Sequence, residues 1–565
     1  MTLLLKRLVY ATPLALAAAA STLPTVTLDE GTVIGTSDGF LDQFLGIPFA
    51  QPPVGNLRLQ LPVPVSPYSG VVNATAIGNQ CFQQTLPAPP VPSGAPPEIG
   101  QFLEAITASE GPGAGPPQSE DCLNINVIVP SGTKPDAKLP VAAWIYGGGF
   151  QVGSNVLEPG AVIANRSAEI GLPVIFVAMN YRLSGEQSTP YLLDITDIEV
   201  AFGFLGGKEV KEAGVGNLGL QDQREALRWI QKYISNFGGD PTKVTIWGES
   251  AGGISIAHQM AANGGDTEGL FRAAWMESGS LYSNGNIEEL QPTFDFIVSE
   301  AGCASAEDPL ACLREVPAEV IVNAMDKTST IFSVDSLNIP YFPHVDGVFI
   351  KGNTENLTID GKIANVPFIN GANEDEGTLF SLAPLPNDTT EEDFAEFVKN
   401  NYFPRASNET IARILELYPA DPAAGSPFGT GDQFAFNPVY KRLSAFQGDL
   451  IFHGPRRFML EQLSGKQVAR SYLSERSKIP GLGAAHSTEL GNIFGPGDMT
   501  DYFVRFVHTL DPNSPPGNFY WPEYTLELPR LLTFVDGNVS LKVTPDTFRE
   551  EAIQFLTDLS LEQPF

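Results

Sequence analysis

The strongest constraint on this chain is five residues long. Gly248-Glu249-Ser250-Ala251-Gly252 follows the apolar run Val244-Thr245-Ile246-Trp247 and precedes Gly253-Ile254-Ser255-Ile256-Ala257, so a serine stands on a strand-to-helix corner between glycines. Such a corner strains the serine backbone and crowds its neighbours, which glycine tolerates, and it lifts the hydroxyl off the carboxyl edge of a sheet. In a chain with 55 glycines a chance Gly-x-Ser-x-Gly is ordinary. The strand before and the helix after are what single this one out.

The surrounding pattern agrees. Residues 139–146, 173–180, 244–247, 273–277, 367–370 and 468–473 read as strands, while 220–237 carries Leu220, Ala226-Leu227, Ile230 and Ile234 at helical spacing before the stop signal Gly238-Gly239-Asp240-Pro241. Residues 547–561 also look helical. The alternation predicts the α/β class, a large, mostly parallel central sheet flanked by helices. Functional loops of such sheets gather at the carboxyl ends of the strands, where Ser250 falls.

A serine hydroxyl needs a base to take its proton and a third group to orient that base. Five histidines are available. His258 lies on the helix after the corner, His344 in a turn-like segment, and His453 and His508 in helix-like stretches among bulky residues. His486 follows a predicted strand and the loop Ile479-Pro480-Gly481-Leu482-Gly483-Ala484-Ala485 and is the best candidate. Its place late in the chain fits the order serine, acid, histidine of the α/β-hydrolases. The acid is then expected in Asn373-Glu374-Asp375-Glu376-Gly377-Thr378, where position alone leaves Glu374, Asp375 and Glu376 open. Acyl transfer also needs hydrogen-bond donors for the oxyanion. The N–H groups of Gly148 and Gly149, within Gly147-Gly148-Gly149-Phe150, and of Ala251, next after the serine, supply a three-donor hole. The alternatives are a plain turn or a phosphate loop; the chain lacks the Lys-Ser/Thr ending of the latter.

Charge narrows the partners. With 33 Lys and Arg against 65 Asp and Glu the net charge is −32, which opposes binding to nucleic acid or anionic lipid. Residues 1–20 hold Lys6 and Arg7, then an apolar stretch ending in four alanines, and read as a secretory signal peptide cut after Ala20. That stretch is shorter than the ~20 residues that cross a bilayer, so a soluble, secreted, extracellular protein is expected, with 21–565 as a single domain. In that setting Cys81, Cys122, Cys303 and Cys312 predict two disulfides and no metal cluster, with nearest-neighbour pairing the simplest choice. Sequons at Asn73, Asn165, Asn356, Asn387, Asn408 and Asn538 fit glycosylation on exposed loops. Residues 82–121 differ from the rest, rich in Pro and Gly at both ends with Ile99, Phe102-Leu103 and Ile106 at helical intervals. They read as a disulfide-tethered lid that covers an apolar pocket in water and opens at an oil–water interface, the alternative being a decorative surface loop.

With these pieces placed, the sequence resembles the type-B carboxylesterase/lipase family, in particular the Candida rugosa-type fungal lipases and sterol esterases. The likeness rests on Leu45-Gly46-Ile47-Pro48-Phe49-Ala50-Gln51-Pro52-Pro53, Ser119-Glu120-Asp121-Cys122-Leu123-Asn124, Gly147-Gly148-Gly149-Phe150, Asn180-Tyr181-Arg182, residues 216–253, Asp375-Glu376-Gly377-Thr378 and Asp511-Pro512-Asn513. The resemblance implies an α/β-hydrolase fold, Glu376 as the acid, His486 as the base, pairs Cys81–Cys122 and Cys303–Cys312, a lid inside the first loop, and no cofactor or metal. It departs at 185–200, which intervene where the family runs from Asn-Tyr-Arg into a Gly-Phe-Leu segment. Without them Asn180-Tyr181-Arg182-Leu183-Ser184 joins Ala201-Phe202-Gly203-Phe204-Leu205, and these sixteen residues read as a translated intron.

The expected function is hydrolysis of carboxylic esters through an acyl-enzyme, lipase- or sterol-esterase-like on long-chain or bulky apolar substrates. A feruloyl (phenolic) esterase is the alternative within the class. A catalytically inactive cholinesterase-like binding protein is the alternative outside it, against which the complete set Ser250, Glu376 and His486 speaks.

Overall fold

The structure, a computed structural model, describes residues 23–110, 115–184, 203–387, 389–514 and 519–564. The signal-peptide segment 1–20 and the insert 185–200 lie outside the described residues.

Strands β1 (Thr25–Leu28), β2 (Glu30–Ile34) and β5 (Ser69–Asn73) form a small sheet. The other eleven form one large sheet: β3 (Thr36–Ser37), β4 (Leu41–Pro48), β6 (Asn124–Pro130), β7 (Leu139–Ile145), β8 (Ile175–Met179), β9 (Gly239–Glu249), β10 (Ala273–Glu277), β11 (Phe368–Asn373), β12 (Ala469–Glu475), β13 (Arg530–Val535) and β14 (Leu541–Pro545). Their spatial order is β14-β13-β12-β11-β10-β9-β7-β8-β6-β4-β3. From β8 across to β13 every pairing is parallel, and the antiparallel pairings lie toward the two edges. This is the α/β-hydrolase architecture expected from the sequence. The edge strands β4, β6, β13 and β14 carry no strand expectation there.

Burial on both faces explains the nearly continuous apolar runs of β7, β8 and β10. Register aligns Trp144, Trp247 and Trp275 as a row across three strands. Phe503 and Phe506 of helix Asp498–Thr509 close over that row, with the Trp247 and Phe503 rings 3.9 Å apart. Alternation turns the next row, Ala143, Ile246 and Ala274, to the other face. The other helical layer contains Leu218–Tyr233 and Ala251–Ala261, which pack on β9 and on each other. Each large side chain removed from water in these layers contributes roughly 1.5–3 kcal/mol.

Both disulfides pair as nearest neighbours, Cys81–Cys122 and Cys303–Cys312. Inside the first, Pro97–Glu110 is helical, with Ile99 and Leu103 buried and Phe102 and Ile106 half-buried. All six sequon asparagines are exposed. The expectation of loops needs correcting for four of them, because Asn73 ends strand β5, Asn165 and Asn356 sit within helices Gly160–Glu169 and Thr354–Ile359, and Asn408 opens helix Asn408–Leu417. A side chain pointing outward from a helix is as accessible as one on a loop. Among the described residues no helix is long and apolar enough to cross a membrane.

The flanks of the insert meet: the Gly203 N–H donates to Leu183 O at 2.8 Å. Removing 185–200 leaves Ser184, Ala201 and Phe202 between these two residues, the span of an ordinary α-turn. A variant lacking 185–200 is therefore expected to express, fold and melt within a few degrees of the full chain in a circular-dichroism melt. A collapse of the melt would show that the insert is part of the fold, and peptides spanning it in a digest of the native protein would refute the intron.

Candidate active site

β9 ends at Glu249, and Ser250 turns the chain with φ +53° and ψ −124° into helix Ala251–Ala261. A non-glycine residue held there carries about 1–3 kcal/mol of strain. The turn persists because both ends are tied: the Ser250 N–H donates to Glu277 O, and Ser250 O accepts from the Ile254 N–H, both at 2.8 Å. Gly252 must be glycine, since a Cβ there would stand 2.0 Å from Ile145 O. The result is a half-open serine at the carboxyl end of a central strand.

His486 reaches this serine from the loop after β12, and backbone clasps hold that loop. Asp375 Oδ2 accepts from the Ala484 N–H at 3.0 Å, and the Thr378 hydroxyl donates to Leu482 O at 2.7 Å. His486 Nε2 then lies 2.8 Å from Ser250 Oγ and Nδ1 lies 2.6 Å from Glu376 Oε2. The structure thus separates three adjacent acids that position left open. Glu374 pairs with Lys478 at the surface at 2.7 Å. Asp375 accepts from the Ser426 hydroxyl and the Phe428 and Ala484 N–H groups. Glu376 alone meets the imidazole. The other histidines stay apart: His258 Nδ1 bonds Ile254 O, His344 Nδ1 bonds Phe342 O, His453 is buried with neither ring nitrogen partnered among the described residues, and His508 is half-buried at the end of its helix.

The glycine loop after β7 is shaped for donation. Gly148 has φ +92° and Gly149 φ +63°; a Cβ on Gly148 would fall 2.2 Å from Val152 O. Gly148 O accepts from the Gln151 and Val152 N–H groups at 3.0 Å, which locks the turn. Among the described residues no backbone carbonyl accepts from the N–H of Gly148 or Gly149, and Ala251 supplies a first-turn N–H of the elbow helix. Gln151 fixes the loop to its surroundings, donating to Gln84 Oε1 at 2.7 Å, three residues past Cys81, and accepting from the Ile331 N–H at 3.0 Å.

Apolar side chains crowd the histidine. Phe380 and Phe452 stand 5.0 and 4.8 Å from its ring. They belong to one buried cluster with Ile331, Phe332 and Leu482 and with Ile99 and Leu103 of helix Pro97–Glu110. A cavity of about 700 Å³ lies beyond Phe342, whose ring meets Phe150 edge-on at 5.3 Å. Its lining includes none of Ser250, Glu376 and His486.

Sequence reasoning missed a second group of polar residues behind Glu376. Ser278, just past β10, Asn373, at the end of β11, and Glu489, three residues after His486, are all buried beside it. The available signal was their position at carboxyl ends of predicted strands or next to a chosen site residue. Glu249, inside the elbow motif, accepts from the Ser487 hydroxyl at 2.7 Å and lies 3.4 Å from His486 Nε2. Burial pushes the Glu249 carboxyl up to about 8. Burial works against charging His486, while each neighbouring glutamate that carries charge, whether Glu249, Glu376 or Glu489, pushes it up.

With this geometry in view, comparison with known proteins gives consistent matches. The family model described as the carboxylesterase family matches residues 22–555. Lipase 4 of Diutina rugosa is 39% identical over 525 residues, 91% of each chain. A secreted triacylglycerol lipase of Gibberella zeae is 36% identical over 94% of this chain and 90% of its own. Among solved structures, Aspergillus niger EstA is similar with a TM-score of 0.78 at 28% identity, covering 96% of this chain and 99% of its own. A PNB esterase is similar with a TM-score of 0.71 at 28% identity, covering 95% and 100%.

The buried acids carry a pH signature. Burial raises Asp375 to about 7 and Glu249 and Glu355 to about 8, so the folded chain keeps protons that the unfolded chain releases. These groups stabilise the fold at low pH, and their contribution is lost as pH rises through those values. His258, His344, His453 and His508, lowered by burial, act oppositely, but that contribution is spent about one pH unit above the ordinary histidine value of 6.5. Above about pH 7.5 the sign is therefore single: calorimetry between about pH 7.5 and 8.5 is expected to show Tm falling as pH rises. A flat or rising Tm would contradict neutral buried carboxyls.

Proposed function

This chain belongs to the carboxylesterase family, and from that premise we propose that it is a secreted, lipase-like ester hydrolase with Ser250 as nucleophile, His486 as base and Glu376 as its acid partner. The observation that carries the reading is the unbroken line from Ser250 Oγ to His486 Nε2 at 2.8 Å and from His486 Nδ1 to Glu376 Oε2 at 2.6 Å. Glu376 holds the ring with its proton on Nδ1, leaving Nε2 to accept from Ser250. As Ser250 Oγ bonds to the ester carbonyl carbon, His486 takes the hydroxyl proton, and the oxyanion receives the N–H groups of Gly148, Gly149 and Ala251. Removing one such donor typically costs about 10²–10³ in kcat. Collapse of this intermediate breaks the ester C–O bond, and the alcohol leaves with the proton from His486. Water then gives a proton to the same nitrogen, its oxygen attacks the acyl carbon, and the acid departs as Ser250 regains its proton.

The substrate reading follows from the apolar cluster. A catalytic histidine flanked by Phe380 and Phe452, under a helix that contributes Ile99 and Leu103, favours acyl groups that replace those contacts with their own. The helix is tethered at Cys81–Cys122 and covers this surface in water; at an oil–water interface its apolar face has an alternative partner, which lowers the cost of opening. Relatives that bear the names lipase and secreted triacylglycerol lipase support the same class. Their secretion, with the Lys6-Arg7 and apolar leader, supports an extracellular place of action. The exposed sequons support glycosylation there.

Ser250→Ala is expected to abolish labelling by a fluorophosphonate probe and to lower kcat by about 10⁶. Wild-type turnover in that variant would remove Ser250 from the mechanism, and failure of the native protein to label would favour an inactive binding protein. Rates on esters from acetate to stearate, a sterol ester and methyl ferulate, above and below the micellar limit, are expected to favour long chains above it. Fastest turnover of methyl ferulate would move the substrate to phenolic esters.

A further inference from the structure

Ser278 Oγ lies 2.6 Å from Glu376 Oε1 and 2.7 Å from Glu489 Oε1. A serine hydroxyl has one proton and donates to one of them. The other short oxygen–oxygen contact needs a proton too, and that proton has to come from a carboxyl. The remaining partners decide which one. Glu376 Oε1 also accepts from the Asn373 backbone N–H at 2.6 Å, and Glu376 Oε2 faces His486 Nδ1 at 2.6 Å. Both Glu376 oxygens are therefore acceptors. Glu489 Oε2 accepts from the Asn373 side-chain amide, which leaves Glu489 Oε1 to carry a proton. Turning that amide over would place its oxygen against Glu489 Oε2 and would still require a proton on Glu489.

We propose that Glu489 is a neutral positioning residue. Its Oε1–H donates to Ser278 Oγ, the Ser278 O–H donates to Glu376 Oε1, and Glu376 is left as the one negative charge that His486 faces. The proposal rests on the assignment of Glu376 and His486 given above and deepens it. Glu489 touches no reacting atom; it acts through Ser278 and Glu376.

The surroundings favour this arrangement. Glu489 is fully buried, facing Glu376, His486, Glu249, Glu277 and Glu158, and burial together with Glu376 raises its proton affinity. Glu277, whose Oε1 accepts from the Trp247 indole N–H, has an Oε2 with no partner among the described residues, as a neutral acid tolerates better than a carboxylate. Several glutamates around one histidine cannot all be charged in a dry site. The arrangement also has a chemical consequence. Charged Glu249 and Glu489 would hold His486 as an imidazolium at neutral pH, where it cannot accept the Ser250 proton. Neutral forms leave Glu376 to orient the ring without trapping it.

Glutamine at 489 reproduces a neutral acid, with its NH₂ donating to Ser278 and its oxygen accepting from Asn373. Glu489→Gln is expected to keep kcat/KM within about threefold and to leave the acid limb of the kcat/KM–pH profile unmoved, while Glu489→Leu and Ser278→Ala lose about tenfold or more. If Glu489 were a carboxylate, Glu489→Gln would remove a charge facing His486 and shift that limb down by about one unit or more; this shift overturns the proposal. Failure of Glu489→Gln to fold overturns it equally, because the amide makes the same bonds as the neutral acid. An infrared difference spectrum at pH 7 between Ser250→Ala and Ser250→Ala/Glu489→Gln is expected to show loss of one protonated-carboxyl C=O band. Loss of a carboxylate band instead overturns the proposal. This readout needs no turnover, so it is independent of the triad reading, which fails separately if Ser250→Ala stays active.

Discussion

Ser250 holds a backbone conformation that serine rarely adopts, and it does so because the neighbouring strands close on the turn from both sides. Ile145 of β7 leaves no space for a side chain at 252, and Glu277 of β10 takes the Ser250 N–H. The strain is local and small beside the burial of the strands that impose it. Three parallel strands packed around the Trp144, Trp247 and Trp275 row act as a rigid base, so a costly turn at their edge has nowhere to relax. The rest of the site is arranged around this fixed hydroxyl.

Several motifs that mark the family in sequence turn out to be clasps. In Ser119-Glu120-Asp121-Cys122, Glu120 forms a buried ion pair with Arg58 at 2.7 Å, and Arg58 also donates to Leu313 O and Val316 O. That joins the region of the first disulfide to that of the second. In Asn180-Tyr181-Arg182, the Tyr181 hydroxyl donates to Tyr146 O at 2.8 Å, one residue before the glycine loop, and Arg182 pairs with Asp222 at 2.6 Å. Asn513 exchanges hydrogen bonds with the Trp521 backbone beneath the tryptophan row. Buried pairs of this kind contribute less to net stability than their Coulomb energy suggests, because desolvation offsets it. Their visible effect here is to hold loops from distant parts of the chain in one register.

The buried carboxyls show a different compromise. Asp375, Glu249, Glu277 and Glu489 are taken out of water, where their charged forms would cost most. Burial raises the proton affinity of all four, which works against crowding the imidazole ring with negative charge and makes the fold sensitive to alkaline pH. A strongly acidic chain, with a net charge of −32, thus keeps most of its charge at the surface and rations it at the site.

Local pattern in the sequence was enough to reveal the elbow, the strands β7 to β12, the histidine loop and the amphipathic helix Pro97–Glu110. Each of these is written in spacings of a few residues: apolar runs, glycines at a corner, a 3.6-residue repeat. The choice among Glu374, Asp375 and Glu376 was not, because three adjacent side chains of like chemistry differ only in direction, and direction is set by how the loop after β11 meets the loop after β12. The edge strands escaped for a related reason. Their alternation is weak, and partners distant in the chain complete their hydrogen bonding. Ser278, Asn373 and Glu489 carry no local signature beyond their place at the ends of strands or beside a chosen site residue. Their roles arise when strands far apart in the chain deliver a hydroxyl, an amide and a carboxyl to one dry corner, and the count of protons between their oxygens exists only in three dimensions.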